Sequence, residues 1–171
     1  MTPNDKMQFV IDLAKEALDK GEFPIAAAIY HGDKLISSAY TSERMDGRFL
    51  VHAEQKALMD MDKQKLPLEV RVNLELYANG EPCLMCLGTI ISSFVGKLYL
   101  SMEIPMDGAV DLVRKHFEKQ PPGIWRFPEV NWGLKREESI QLFREYVERY
   151  EGNPEYSPGE IYFAKSIAEL L

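Results

Sequence analysis

With 171 residues, 46% of them apolar and 27% charged, the chain has the size and mixture of one globular domain and not of a disordered or fibrous protein. Its net charge of −7 weighs against a nucleic-acid partner, because such binding relies on Lys and Arg neutralising phosphates. No run approaches the ~20 apolar residues of a bilayer span, and the acidic first segment lacks the marks of a leader, so no membrane partner and a cytoplasmic location are expected.

Thr2 and Pro3 open a helix whose Val10, Leu13, Ala14, Ala17 and Leu18 share one face until Gly21 stops it. Residues 25–30 and 34–40 flank His31-Gly32-Asp33 and form a hairpin. Thr41 to Val51 reads as a polar loop that delivers His52 to the start of a helix running through Met59. Val70 to Ala78 alternates as a strand, and Asn79-Gly80-Glu81-Pro82 turns the chain into a helix from Cys83 to Phe94. Then come a strand at Lys97 to Ser101, a helix at Asp107 to Phe117 and a Pro- and aromatic-rich loop from Gln120 to Trp132 with room for a short strand. A longer helix, Arg136 to Tyr150, carries Ile140, Phe143, Tyr146 and Val147 near one face.

The acidic segment 150–171 holds Ile161, Phe163, Ile167, Leu170 and Leu171, too apolar to leave wholly in water. Two readings stand: a strand and helix that cover a pocket or a dimer partner, or a C-terminal helix on its own core. Strands alternating with helices indicate an α/β protein, a three-layer α/β/α sandwich. With no repeat or linker, residues 1–171 read as one domain with 150–171 an extension.

The two cysteines lie in Pro82-Cys83-Leu84-Met85-Cys86 at a helix start, a spacing that suits a metal or redox site better than a structural disulfide. Upstream, His52-Ala53-Glu54 opens another helix. One imidazole and two thiolates match a catalytic zinc site, which keeps a fourth position for water. A helix N-terminus favours thiolate. Zinc lowers the pKa of its water to ~7, so hydroxide is the nucleophile. Glu54 is close enough to take that proton and pass it to a ring nitrogen and a leaving amine.

The pairing of His-x-Glu with Pro-Cys-x-x-Cys resembles the cytidine and deoxycytidylate deaminase superfamily from the first helix to about residue 110. Glu81 and Gly88 around it resemble the branch of tRNA adenosine deaminases, guanine deaminases and fungal-type cytosine deaminases. The resemblance implies a cytidine deaminase-like fold with a mixed sheet of about five strands. It also implies one zinc held by His52, Cys83 and Cys86, proton transfer by Glu54, backbone contacts to the ring from Ala53 and Pro82, and a homodimer.

Purine-acting members place an asparagine eleven residues before the metal histidine; here that residue is Thr41. A hydroxyl cannot make an amide's two-point contact. Arg48-Phe49-Leu50-Val51 replaces a Pro-Thr-Ala type segment, and Asn79-Gly80 replaces Thr-Leu. Thr41 and Phe49 are accordingly expected at the substrate, with Trp125, Phe127 and Trp132 as rings able to stack on it. His31 and His116 fall outside the site, Glu103 reads as a solvated loop acid, and Glu81 as a holder of its turn.

The expected function is zinc-dependent hydrolytic deamination of a small nucleobase, nucleoside or similar amino-substituted heterocycle, with ammonia released. A second reading is tRNA adenosine deamination. A third is a zinc-bound interaction domain without activity, against which the presence of Glu54 argues.

Overall fold

Helix α1 (Pro3–Asp19) begins at Thr2, whose hydroxyl accepts from the Asp5 N–H while the Asp5 carboxylate returns a bond to the Thr2 N–H, a capping box. It is the first element of a computed structural model that describes every residue but Pro122; the loop reading at that one position lies outside the described residues. The hairpin follows as β1 (Ala26–His31) and β2 (Lys34–Tyr40), antiparallel, with Gly32 taking the positive φ that the tight turn needs.

The segment expected to be loop after Thr41 contains a short helix, α2 (Glu43–Asp46). Its cap comes from far away in the chain: the buried Glu22 carboxylate accepts from the N–H groups of Arg44 (3.2 Å) and Met45 (2.6 Å). No local pattern could announce it. Helix α3 (Ala53–Asp62) follows with His52 at its N-cap position.

The strand expected from Val70 begins later. Pro67 instead caps a helical turn, α4 (Leu68–Arg71), and β3 runs from Glu75 to Gly80. Val72 is 49% exposed whereas Leu74 is fully buried, so the apolar alternation before Leu74 faces water and not a sheet. At the other end, Asn79 and Gly80 extend β3 instead of forming the expected turn. The buried Asn79 amide donates to the Pro24 carbonyl and accepts from the Ala26 N–H, both at 2.8 Å, so its polarity serves the strand edge.

The remaining elements are α5 (Leu84–Ser92), β4 (Lys97–Met102), α6 (Val110–Glu118), β5 (Glu129–Trp132), α7 (Arg136–Tyr150) and α8 (Pro158–Ala168). The sheet order is β2-β1-β3-β4-β5, antiparallel across β2-β1-β3 and parallel across β3-β4-β5. Alternation along the strands divides the core. Ala28, Tyr30 and Tyr77 point to the layer of α1, α7 and α8, with Met7, Phe143 and Ile167. Ala27, Ile29, Leu76, Ala78, Leu98 and Leu100 point to the layer of α3, α5 and α6, with Leu58 and Ile90. The three-layer sandwich with five strands in a mixed sheet is therefore present. No helix among the described residues is long and apolar enough to cross a membrane.

Candidate active site

His52 and Cys83 occupy the N-cap positions of α3 and α5, and Cys86 lies in the first turn of α5. Both helices start on the same side of the sheet, which brings the three donors together. His52 Nδ1 is 3.7 Å from Cys83 Sγ and 3.6 Å from Cys86 Sγ. Zinc bonded tetrahedrally to sulfur at ~2.3 Å and nitrogen at ~2.0–2.1 Å would set S···N at about 3.6 Å. The donor set and its spacing thus fit a zinc ion, and all three ligand atoms lie within 4.8 Å of one another.

The other imidazole nitrogen is also held. Glu43 Oε1 lies 2.8 Å from His52 Nε2. A carboxylate there holds a proton on Nε2, so that the neutral ring, the form a metal ligand takes, would turn its Nδ1 lone pair to the sulfurs. Nothing in the sequence singles out Glu43, because its partnership depends on α2 folding back over the site.

Without an ion the donors share protons among themselves. Hydrogen bonding from Cys86, helped by His52, brings the Cys83 thiol down to about 4. Contact with Cys83, and then with Glu43, lifts His52 to about 10. Cys86, next to the Cys83 sulfur and buried, is pushed up. A cation entering this group has to displace the remaining protons, which couples its binding to pH. Glu54 is 4% exposed, and burial pushes its carboxyl up from the ordinary carboxylate range.

A cavity of about 320 Å³ opens beside these groups. His52, Ala53, Glu54 and Cys83 line it, as do Thr41 and Glu81. The Glu81 carboxylate accepts from the Ile104 N–H (3.3 Å) and from the Val110 N–H at the start of α6 (2.9 Å), so it fastens the loop between β4 and α6. Gly108 passes so close that a Cβ there would lie 2.1 Å from Glu81 Oε2. Pro82 is buried outside the cavity lining, and its carbonyl accepts from the Ala109 N–H at 3.2 Å.

Phe49 is not brought to the cavity; its ring is 88% exposed, because α2 ends at Gly47 and turns the following residues outward. The loop aromatics are elsewhere too. Phe127 packs on Phe117, Trp125 lies against α6, and Trp132 is exposed. The aromatic wall comes instead from Phe23 and from Phe163 of α8, whose ring centroids are 5.1 Å apart. Helix α8 packs on the chain's own core and also contributes Gly159 and Glu160 to the cavity. Glu103 pairs with Arg136 (Nε at 3.0 Å), while His31 and His116 lie away from the site.

A family model described as the cytidine and deoxycytidylate deaminase zinc-binding region matches residues 2–102. A tRNA-specific adenosine deaminase of Agrobacterium fabrum is 28% identical over 140 residues, covering 82% of this chain and 90% of that protein. Among solved structures, one from work on A-to-I editing by tRNA:A34 deaminases superposes with a TM-score of 0.69 at 25% identity, covering 81% of this chain and 98% of that one. A guanine deaminase from Nitrosomonas europaea superposes with a TM-score of 0.65 at 26% identity, covering 85% of this chain and 84% of that one.

Proposed function

Because the chain belongs to the cytidine and deoxycytidylate deaminase zinc-binding family, we propose that it is a hydrolytic deaminase of a small nucleobase, nucleoside or similar amino-substituted heterocycle. The observation that carries this reading is the buried Glu54 carboxyl on the wall of a ~320 Å³ cavity that also exposes the His52 and Cys83 ligands. That volume lies at the small end of ligand pockets.

His52, Cys83 and Cys86 would hold the zinc. When bound it supplies a Lewis acid that makes a water molecule acidic near neutral pH. Glu54 takes the proton of that water, and its burial, which pushes the carboxyl up from the ordinary carboxylate range, makes it hold that proton more readily than an exposed acid would. The water oxygen adds to the amine-bearing ring carbon, and Glu54 gives its proton to the adjacent ring nitrogen. The same carboxyl then takes the proton of the added hydroxyl and gives it to the amine, the C–N bond breaks, and ammonia leaves a ring carbonyl behind. Ala53, at the first position of α3, lines the cavity and presents its backbone to the ring.

A second reading, tRNA adenosine deamination, draws on the likeness to tRNA-specific deaminases over most of the chain. The two readings are separated by ammonia release from cytosine, guanine, adenine, their nucleosides, aminated triazines and pterins, and a tRNA substrate. Turnover of at least one small ring is expected. Glu54→Ala should abolish that turnover while zinc remains bound; unchanged turnover would remove Glu54 from the mechanism.

A further inference from the structure

The cavity wall carries Glu43, Glu54, Glu81, Asp107 and Glu160 and, among the described residues, no Lys or Arg. Several of these acids are already engaged: Glu43 with His52, Glu81 with two backbone N–H groups, and Glu160 with Arg44 at 2.7 Å. Asp107 differs, standing exposed on the rim with no side-chain partner among the described residues. The neighbouring cations Arg44 and Lys56 are already engaged. Arg44 is held by Glu160, by the Glu155 carbonyl (3.0 Å) and over the Tyr156 ring, and Lys56 donates to Ser42. A phosphate brought to this mouth meets the Asp107 carboxylate and, on the cavity wall itself, no Lys or Arg to neutralise it.

Thr41 supplies the second observation. It is 4% exposed, lines the cavity, and spends its backbone N–H on the Ile25 carbonyl. Its hydroxyl has no protein partner among the described residues. A hydroxyl left free at a cavity wall is a ready single-point contact, and an occupant that covers it without bonding to it forfeits the hydrogen bond it otherwise makes to water. Glu160 and Phe163 of α8 stand on the same wall, so the mouth is narrowed by the chain's own C-terminal helix.

Resting on the deaminase reading above, we infer that the cavity selects an unphosphorylated amino-heterocycle, as free base or nucleoside. The ring is hydrogen-bonded by the Thr41 hydroxyl and turns N–H groups toward Asp107. The 5′-monophosphate and RNA forms of the same ring are rejected.

The test uses zinc-loaded protein and one ring presented as base, nucleoside, 5′-monophosphate and the loop base of an RNA hairpin. Base or nucleoside should exceed the monophosphate and the hairpin by about 100-fold or more in kcat/KM. Asp107→Lys should narrow that gap by about tenfold through faster use of the monophosphate. Thr41→Val should raise KM for the base by about tenfold, with Thr41→Ser restoring it. Equal use of the phosphorylated forms, or a gap unmoved by Asp107→Lys, overturns the inference and leaves the deaminase reading intact. Should no ring release ammonia, the deaminase reading fails, and equilibrium binding of the same series decides the inference. Preference for the base, weakened in Thr41→Val, supports it; equal binding or none overturns it.

Discussion

Glu43 shows how one side chain outside the ligand set can govern it. The imidazole of His52 has two nitrogens, and the 2.8 Å contact from Glu43 commits one of them, so the other faces the thiols in a fixed orientation. Loss of such a partner typically weakens metal binding by about 10–100-fold. Glu43→Ala is therefore expected to lower zinc affinity by that order in a chelator competition, and Glu43→Gln, which still accepts a hydrogen bond, to lower it less. Equal affinity in all three proteins would show that the contact orients nothing. At this scale the sequence was legible wherever chemistry is encoded by spacing. His52, Glu54, Cys83 and Cys86 are each within four residues of a partner and at a helix start. It was silent on Glu43, Asp107 and Glu160, which reach the cavity only through tertiary folding. The solvent-facing ring of Phe49 was misplaced for the same reason: its direction depends on α2.

Among the elements, α1 could be read closely because apolar periodicity and terminal signals agree, and α7 from its apolar periodicity alone. α2 and α4 could not, since one is capped by the distant Glu22 and the other occupies what looks like the start of a strand. β3 is instructive because its polar residue is structural. Asn79→Ala would strand the buried Ala26 N–H and Pro24 carbonyl and should destabilise the protein by about 2–3 kcal/mol in chemical denaturation. Tyr146 of α7 is the opposite case: its hydroxyl is buried without a hydrogen-bond partner. Tyr146→Phe removes a group that burial penalises and keeps the ring packing against Phe23 and Tyr150. It should leave stability unchanged or raise it by about 1 kcal/mol. A loss as large as that from Asn79→Ala would mean that the hydroxyl is satisfied after all.

For the molecule as a whole, the link between the C-terminal helix and the metal site runs through adjacent residues of α2. Arg44 binds Glu160 of α8 while its neighbour Glu43 binds His52, so contacts 116 residues apart in the chain bear on the wall of one cavity. Burial raises the Glu160 carboxyl, but the Ser157 N–H and hydroxyl together with Arg44 outweigh it and hold the group below its ordinary value of 4.5. A carboxylate depressed by folding stabilises the native state above its unfolded pKa, and that contribution disappears as protons bind below it. Because both side chains of the pair are partly in solvent, screening limits its worth to about 1 kcal/mol or less. Glu160→Gln keeps an acceptor for the Ser157 cap and removes the charge. The stability difference between wild type and Glu160→Gln should therefore be constant from pH 7 down to about 5, and then shrink as the pH falls through and below 4.5. Urea denaturation at stepped pH measures it directly. A difference that grows on acidification would mean that burial, and not the Arg44 and Ser157 contacts, controls this carboxyl and that the link between α8 and α2 contributes nothing to holding the cavity wall.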